Sequence, residues 1–160
     1  MNYTMKEKEA FEVVGKPLHV SVVNSVNKRR IPEFWEELNT NGFTDRLAAA
    51  ADSSSLLGIC TDYDGDLQEF TYLIAAEKHG GPIPEGCCVK TIRRATWAVF
   101  EAIGPVPGAV QNTWERIFSE WFPSTGYEHA GGPEIEVYDA AADITDEKHR
   151  TEIWIPVKKK

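Results

Sequence analysis

Trp114, Ile117, Phe118 and Trp121 recur at i, i+3, i+4 and i+7, while Glu115, Arg116, Ser119 and Glu120 take the positions between them. This spacing predicts an α-helix with one apolar stripe and a polar back. Phe122-Pro123 predicts its end, because the residue before a proline avoids α geometry. A loop with Gly126 and Gly131-Gly132-Pro133 follows. From Glu134 to Tyr138 the pattern changes to period two, with Ile135 and Val137 on one parity and Glu134, Glu136 and Tyr138 on the other. That is the signature of a half-buried strand.

The rest of the chain has the same two periods. Phe11 to Val23 is β-rich and predicts a first strand, with a bulge near Gly15-Lys16-Pro17. Ile31-Pro32 predicts a helix start, with proline in the first turn where its missing N–H costs least. Phe34, Trp35 and Leu38 form the stripe, and Asn41-Gly42 is a stop signal. Thr44 predicts the cap of a second short helix through Ala51. Leu56 to Thr61 and Phe70 to Ala76 predict a hairpin, turning at Asp62 to Asp66. That acidic turn lacks the length and the closing glutamate of an EF-hand calcium loop. His79 to Gly86 is a Gly/Pro-rich connector at mid-chain. Val89 to Ile103 predicts one long strand, and Thr151 to Val157 a final one.

The two halves predict the same order: strand, helix, strand, strand. Trp35-Glu36 matches Trp114-Glu115, and Tyr63-Asp64 matches Tyr138-Asp139. The expectation is a single α+β domain over 1–160, built of pseudo-repeats at about 1–82 and 83–160. Duplicated β-α-β-β units would share one antiparallel sheet, with two main helices on one face and a central ligand cleft on the other.

Composition narrows the function. A chain of 160 residues with 42% hydrophobic and 26% charged residues suits one globular domain. Its net charge of -8 disfavours direct nucleic-acid binding, which needs a basic face. No run is long and apolar enough to span a membrane, and residues 1–12 lack the apolar core of a signal peptide. With Cys60, Cys87 and Cys88 this points to a cytoplasmic protein with reduced thiols. Cys87-Cys88 has no second pair at metal-ligand spacing, and neither metal nor cofactor is expected. No Ser-His-Asp order or phosphate loop is visible.

The order of Phe11-Glu12-Val13-Val14-Gly15, Trp97-Ala98-Val99-Phe100 with Gly104-Pro105, Trp114-Glu115 with Trp121-Phe122-Pro123, Tyr138-Asp139 and Glu152 to Val157 resembles the GyrI-like small-molecule-binding domain. That family is also called the AraC-type effector-binding domain. The likeness covers nearly the whole chain and implies a stand-alone member. It implies binding of small aromatic or cationic molecules in the central cleft. It brings in, from a few stand-alone relatives, hydrolysis of cyclopropanoid DNA-alkylating compounds. Two alternatives remain open: a non-catalytic sequesterer or sensor, and a protein-interaction module acting on DNA gyrase.

Parity sorts the last strand into Ile153, Ile155 and Val157 on one side and Glu152 and Trp154 on the other. The aliphatic side is expected to meet the helices, which leaves Glu152 and Trp154 for the cleft. The resemblance implies that a glutamate of this strand meets the ligand's positive charge, and Glu152 occupies the place. Tyr72, at the equivalent position of the first half, is its expected partner. As a catalytic pair, Glu152 would orient water and Tyr72 would hydrogen-bond the substrate's oxygen. The competing readings are an edge glutamate and a core tyrosine. Trp97 and Trp154 are candidate stacking walls, with Tyr138, Trp114 and Trp35 as further ligand-binding candidates and His129 in the loop beside them.

Overall fold

The computed structural model describes every residue from Met1 to Lys160. Nine strands are present: β1 (Tyr3–Lys8), β2 (Phe11–Ser21), β3 (Ser55–Asp64), β4 (Glu69–Glu77), β5 (Cys88–Ile92), β6 (Ala95–Ile103), β7 (Tyr127–His129), β8 (Glu134–Asp139) and β9 (Arg150–Lys159). Helices α1 (Val26–Thr40), α2 (Phe43–Ala51) and α3 (Gly108–Arg116) connect them. Every pairing is antiparallel, in the order β1-β6-β9-β8-β3-β4-β2-β5, with β7 beside β9. The order mirrors itself about the β3–β8 pair, with β2, β3 and β4 answering to β6, β8 and β9.

Two short connections curl this sheet. Only Glu9 and Ala10 separate β1 from β2, although the two lie six strand positions apart. A flat sheet would put them about 29 Å apart, while three residue steps reach only about 10 Å. The same holds for β5 and β6, joined by Arg93-Arg94. The two ends of the sheet therefore bend towards each other. Lys8 Nζ reaches Glu77 Oε1 at 3.5 Å, and Arg94 meets Glu7 and Glu9.

The curl buries the face turned away from the helices. Val13, Leu57, Ile59, Leu73, Ile92, Trp97, Val99 and Ile135 pack there into one core. This corrects the sequence reading of that face as the cleft. On the helix face, Phe34, Leu38, Phe43 and Leu47 from α1 and α2 cover Tyr72 and Ile74. Val110 from α3, with Ile117 and Trp121 beyond it, covers Phe100, Ile153 and Ile155.

Local departures have local causes. The apolar pattern of 89–103 breaks at Arg93-Arg94, where the chain crosses from one end of the sheet to the other. β1 carries mostly exposed side chains and lacks the alternation that marks a strand. Helix α1 begins at Val26, so Pro32 lies inside it rather than in its first turn. Beyond α3 a π turn, Ile117–Trp121, carries the helix into a last turn, Phe122–Ser124. Pro123 opens that turn, where a missing N–H is tolerated. The π turn adds a residue to the cycle and leaves Phe118 49% exposed while Ile117 and Trp121 are buried.

Candidate binding cavity

A cavity of about 1580 Å³ runs between the helix layer and the sheet and extends past the loop at 130–133 to the β5–β6 corner. Typical ligand pockets hold roughly 300–1,000 Å³, so this one has room for a bulky molecule. Ile31 and Trp35 of α1, and Val110 and Trp114 of α3, form its two helical walls. Its floor includes Leu56, Cys60, Tyr72, Glu136 and Tyr138. The loop after β8 adds Ala140, Ala142 and Ile144 at its rim.

Glu136 is the centre of the floor. Its parity places it on the helix face with Tyr138, and it is only 7% exposed. Tyr72 Oη donates to Glu136 Oε1 at 2.8 Å, and Tyr138 Oη donates to the same oxygen at 3.1 Å. Trp114 Nε1 donates to Oε2 at 2.9 Å. Trp35 Nε1 in turn donates to Tyr72 Oη at 2.9 Å. The Trp35 and Tyr138 rings meet edge to face at 5.0 Å. Three residues thus bind one carboxylate directly and a fourth, Trp35, through Tyr72, from two helices and two strands.

Gly58 makes the convergence possible. It sits on β3, directly opposite Glu136 on β8 and Ile74 on β4. Tyr72 must lean across β3 to reach Glu136. A Cβ at position 58 would overlap the Tyr72 phenol and lie 2.9 Å from Glu136 Oε1.

The electrostatics follow from burial. All the hydrogen-bond partners of Glu136 are neutral. Burial pushes its carboxyl above the ordinary glutamate range; the bonds from Trp114, Tyr72 and Tyr138 pull it back, and the neighbouring Glu134 raises it again. Burial, and then the charge of Glu136, holds the Tyr72 and Tyr138 phenols and the Cys60 thiol well up. These three groups stay neutral, so no cation offsets the Glu136 carboxyl, which lies under aromatic rings.

The helical walls are tied to each other across the cavity. Lys28 Nζ pairs with Glu115 Oε1 at 3.2 Å. Gln111 Nε2 donates to the Lys28 carbonyl at 3.1 Å. That carbonyl lies four residues before Pro32, which has no N–H to offer it. The proline thus frees a helical acceptor, and α3 supplies the donor.

The sequence-derived candidates divide between the two faces. Trp35, Tyr72, Trp114 and Tyr138 stand together around Glu136. Glu152 and Trp154 do not join them: both lie on the far face, outside the cavity lining. Glu152 is opposite Val137 and Glu101, and accepts a 3.3 Å bond from Trp154 Nε1. Trp97 packs edge to face on Trp154 at 6.0 Å and only borders the cavity beside Pro156. Tyr72 and Glu152 therefore point to opposite sides of the sheet and cannot act on one bound molecule. His129 pairs with Glu134, which lines the cavity, at 3.3 Å.

The residue that sequence reasoning missed is Glu136. Both faces of the sheet are buried, so alternation alone does not tell which parity faces the helices. The available signal was Tyr138 two residues on, an aromatic on the same parity as the acid.

Comparison with known proteins gives a consistent picture. The family model for the GyrI-like small molecule binding domain matches residues 1–158. The structure of SAV2435 bound to tetraphenylphosphonium superimposes with a TM-score of 0.85 at 28% identity, covering 99% of this chain and 94% of that one. An integron cassette protein from Vibrio cholerae gives 0.70 at 21%, covering 98% and 95%. The protein YobU of Bacillus subtilis (strain 168) is 22% identical over 142 residues, 87% of this chain and 86% of its own length.

Proposed function

The chain belongs to the GyrI-like small-molecule-binding domains, and we propose that it holds bulky aromatic cations between α1, α3 and the sheet, with Glu136 receiving their charge. The observation that carries this reading is a buried carboxylate whose every partner is neutral, facing a cavity walled by tryptophan and tyrosine. An unpaired buried charge is costly, and a ligand cation relieves that cost. The rings add flat apolar area and a favourable quadrupole for positive charge. A similar protein, SAV2435, has been solved with tetraphenylphosphonium, a cation of this kind. Trp35, Tyr72, Trp114 and Tyr138 act as ligand-binding residues in this reading, and the function is binding rather than turnover.

The test is titration of tetraphenylphosphonium into the protein, followed by tryptophan fluorescence. Glu136→Gln removes the charge and keeps the shape, and affinity should fall about tenfold or more, as expected for losing a desolvated charge interaction. Glu152→Gln, on the far face, should bind as wild type does. Equal affinity in folded Glu136→Gln would sink the reading.

A further inference from the structure

We propose that, among cations, this cavity selects those that carry no N–H or O–H donor: quaternary ammonium, N-alkylpyridinium and phosphonium ions rather than protonated amines or guanidines. The proposal rests on Glu136 being the cation's anchor, and it follows from how the acceptors of the site are already used.

An ionised carboxylate offers about four lone-pair positions. On Glu136, Oε1 accepts from both Tyr72 and Tyr138, and Oε2 accepts from Trp114. Of the two phenol oxygens at the cage, Tyr72 Oη already accepts from Trp35, while Tyr138 Oη donates to Glu136 and keeps room for one donor. The nearby acid on the same face, Glu134, is engaged by His129. What remains towards the ligand is negative charge and ring faces, with about one free lone pair on Oε2 and one on Tyr138 Oη.

A primary ammonium brings three N–H donors, each hydrogen-bonded in water. In this cage it would leave at least one of them without an acceptor, or would have to displace a phenol or indole donor and strand that group instead. Either way a buried donor goes unpaired. An aprotic cation loses no donor bonds on entering. It keeps the Coulombic attraction to Glu136 and the attraction to the rings of Trp35, Trp114 and Tyr138. The donors that hold Glu136 in place are therefore also a filter on its ligands.

The experiment compares (1-naphthylmethyl)trimethylammonium with 1-naphthylmethylammonium at pH 7, where both are cations, by isothermal titration calorimetry. In wild type the quaternary ion should bind about tenfold or more tightly. Added methyl area also favours that ion, so the deciding quantity is how the ratio changes when a donor is removed. Trp114→Phe frees a lone pair on Oε2 and removes no acceptor, whereas Tyr138→Phe exchanges the phenol's own lone pair for one on Oε1. In Trp114→Phe the ratio should fall by about threefold or more, because only the primary ammonium gains an acceptor, while in Tyr138→Phe it should change less. Should Trp114→Phe fail to fold, Trp35→Phe, which frees Tyr72 Oη from its indole donor, carries the same comparison. Equal affinities in wild type, or a ratio that stays constant in folded Trp114→Phe or Trp35→Phe, would overturn the proposal. If both cations bind wild type and both are weakened in Glu136→Gln while the ratio is unmoved, only the selectivity is lost. If neither cation binds wild type, the reading of Glu136 as anchor falls together with it.

Discussion

A methyl group at position 58 has nowhere to go, because the Tyr72 phenol and Glu136 Oε1 already occupy the space above Gly58. Gly58→Ala should cost about 1–3 kcal/mol, the usual range for overpacking, and should weaken tetraphenylphosphonium binding by separating Tyr72 from Glu136. Thermal melts and fluorescence titrations read the two effects. Tyr72→Phe removes the crowded oxygen, so the two substitutions should be non-additive in a double-mutant cycle; additive losses would mean that they do not meet. Glu136 has a second signature, in pH. Its folded-state pKa lies above the ordinary glutamate value. Its contribution to stability is therefore full below that ordinary value and is lost as pH rises through the raised one. With Glu136 as the proposed anchor a cation needs the ionised form, so the trend for affinity is opposite: a permanently charged cation should bind more weakly as pH falls through the raised pKa, and its binding should release protons. Calorimetry in buffers of different ionisation enthalpy measures that release, and Glu136→Gln should remove this contribution. None of this was legible in the period-two pattern of 134–138. Alternation gives two parities but not which one meets the helices, and Glu136 looked like a solvent-facing acid beside Ile135 and Val137.

At the scale of elements, the sequence marked the helix-forming segments and most of the strands through their periods. It was silent where long-range geometry overrides local preference. Phe122-Pro123 breaks a regular α-helix, but after a π turn it continues the helix for another turn. Pro32 looked like a start signal, and it sits inside α1 because its cost is offset from outside the helix. The carbonyl that it deprives is taken by Gln111 of α3. This predicts that Pro32→Ala loosens the tie between α1 and α3, since an alanine N–H would compete for the Lys28 carbonyl. Gln111→Ala combined with Lys28→Ala should act in the same direction by removing both cross-helix contacts. In each case tetraphenylphosphonium should dissociate faster, by about threefold or more for one lost hydrogen bond near 1 kcal/mol. Stopped-flow displacement measures the rate; unchanged dissociation in both variants would show that these contacts do not control exit.

At the scale of the whole molecule, the sheet's curl separates the two jobs of the fold. One face closes on itself as a core, and the other supports the helices and the cavity. The duplicated order of the chain is visible in the sequence, but the exchange of end strands is not. β1 pairs with β6 of the other half, and β5 with β2, and such pairings leave no local pattern. β1 is the only strand between β6 and the open edge. Tyr3 also covers Trp121 and Phe100, at ring distances of 5.1 and 5.8 Å. Deleting residues 1–8 should therefore expose β6 and the apolar group beneath Tyr3 while leaving every side chain around Glu136 in place. Losing one ladder and this aromatic contact should cost roughly 3 kcal/mol, hence about 6–12 °C in melting temperature for a chain of this size. An unpaired β6 is also a template for strand addition, so the shortened protein should self-associate at high concentration. Below that concentration, and well under its melting temperature, it should still bind tetraphenylphosphonium with wild-type affinity. Loss of binding in a folded monomer would show that the closed core and the cavity are one mechanical unit; unchanged melting would show that β1 contributes little to closing the sheet.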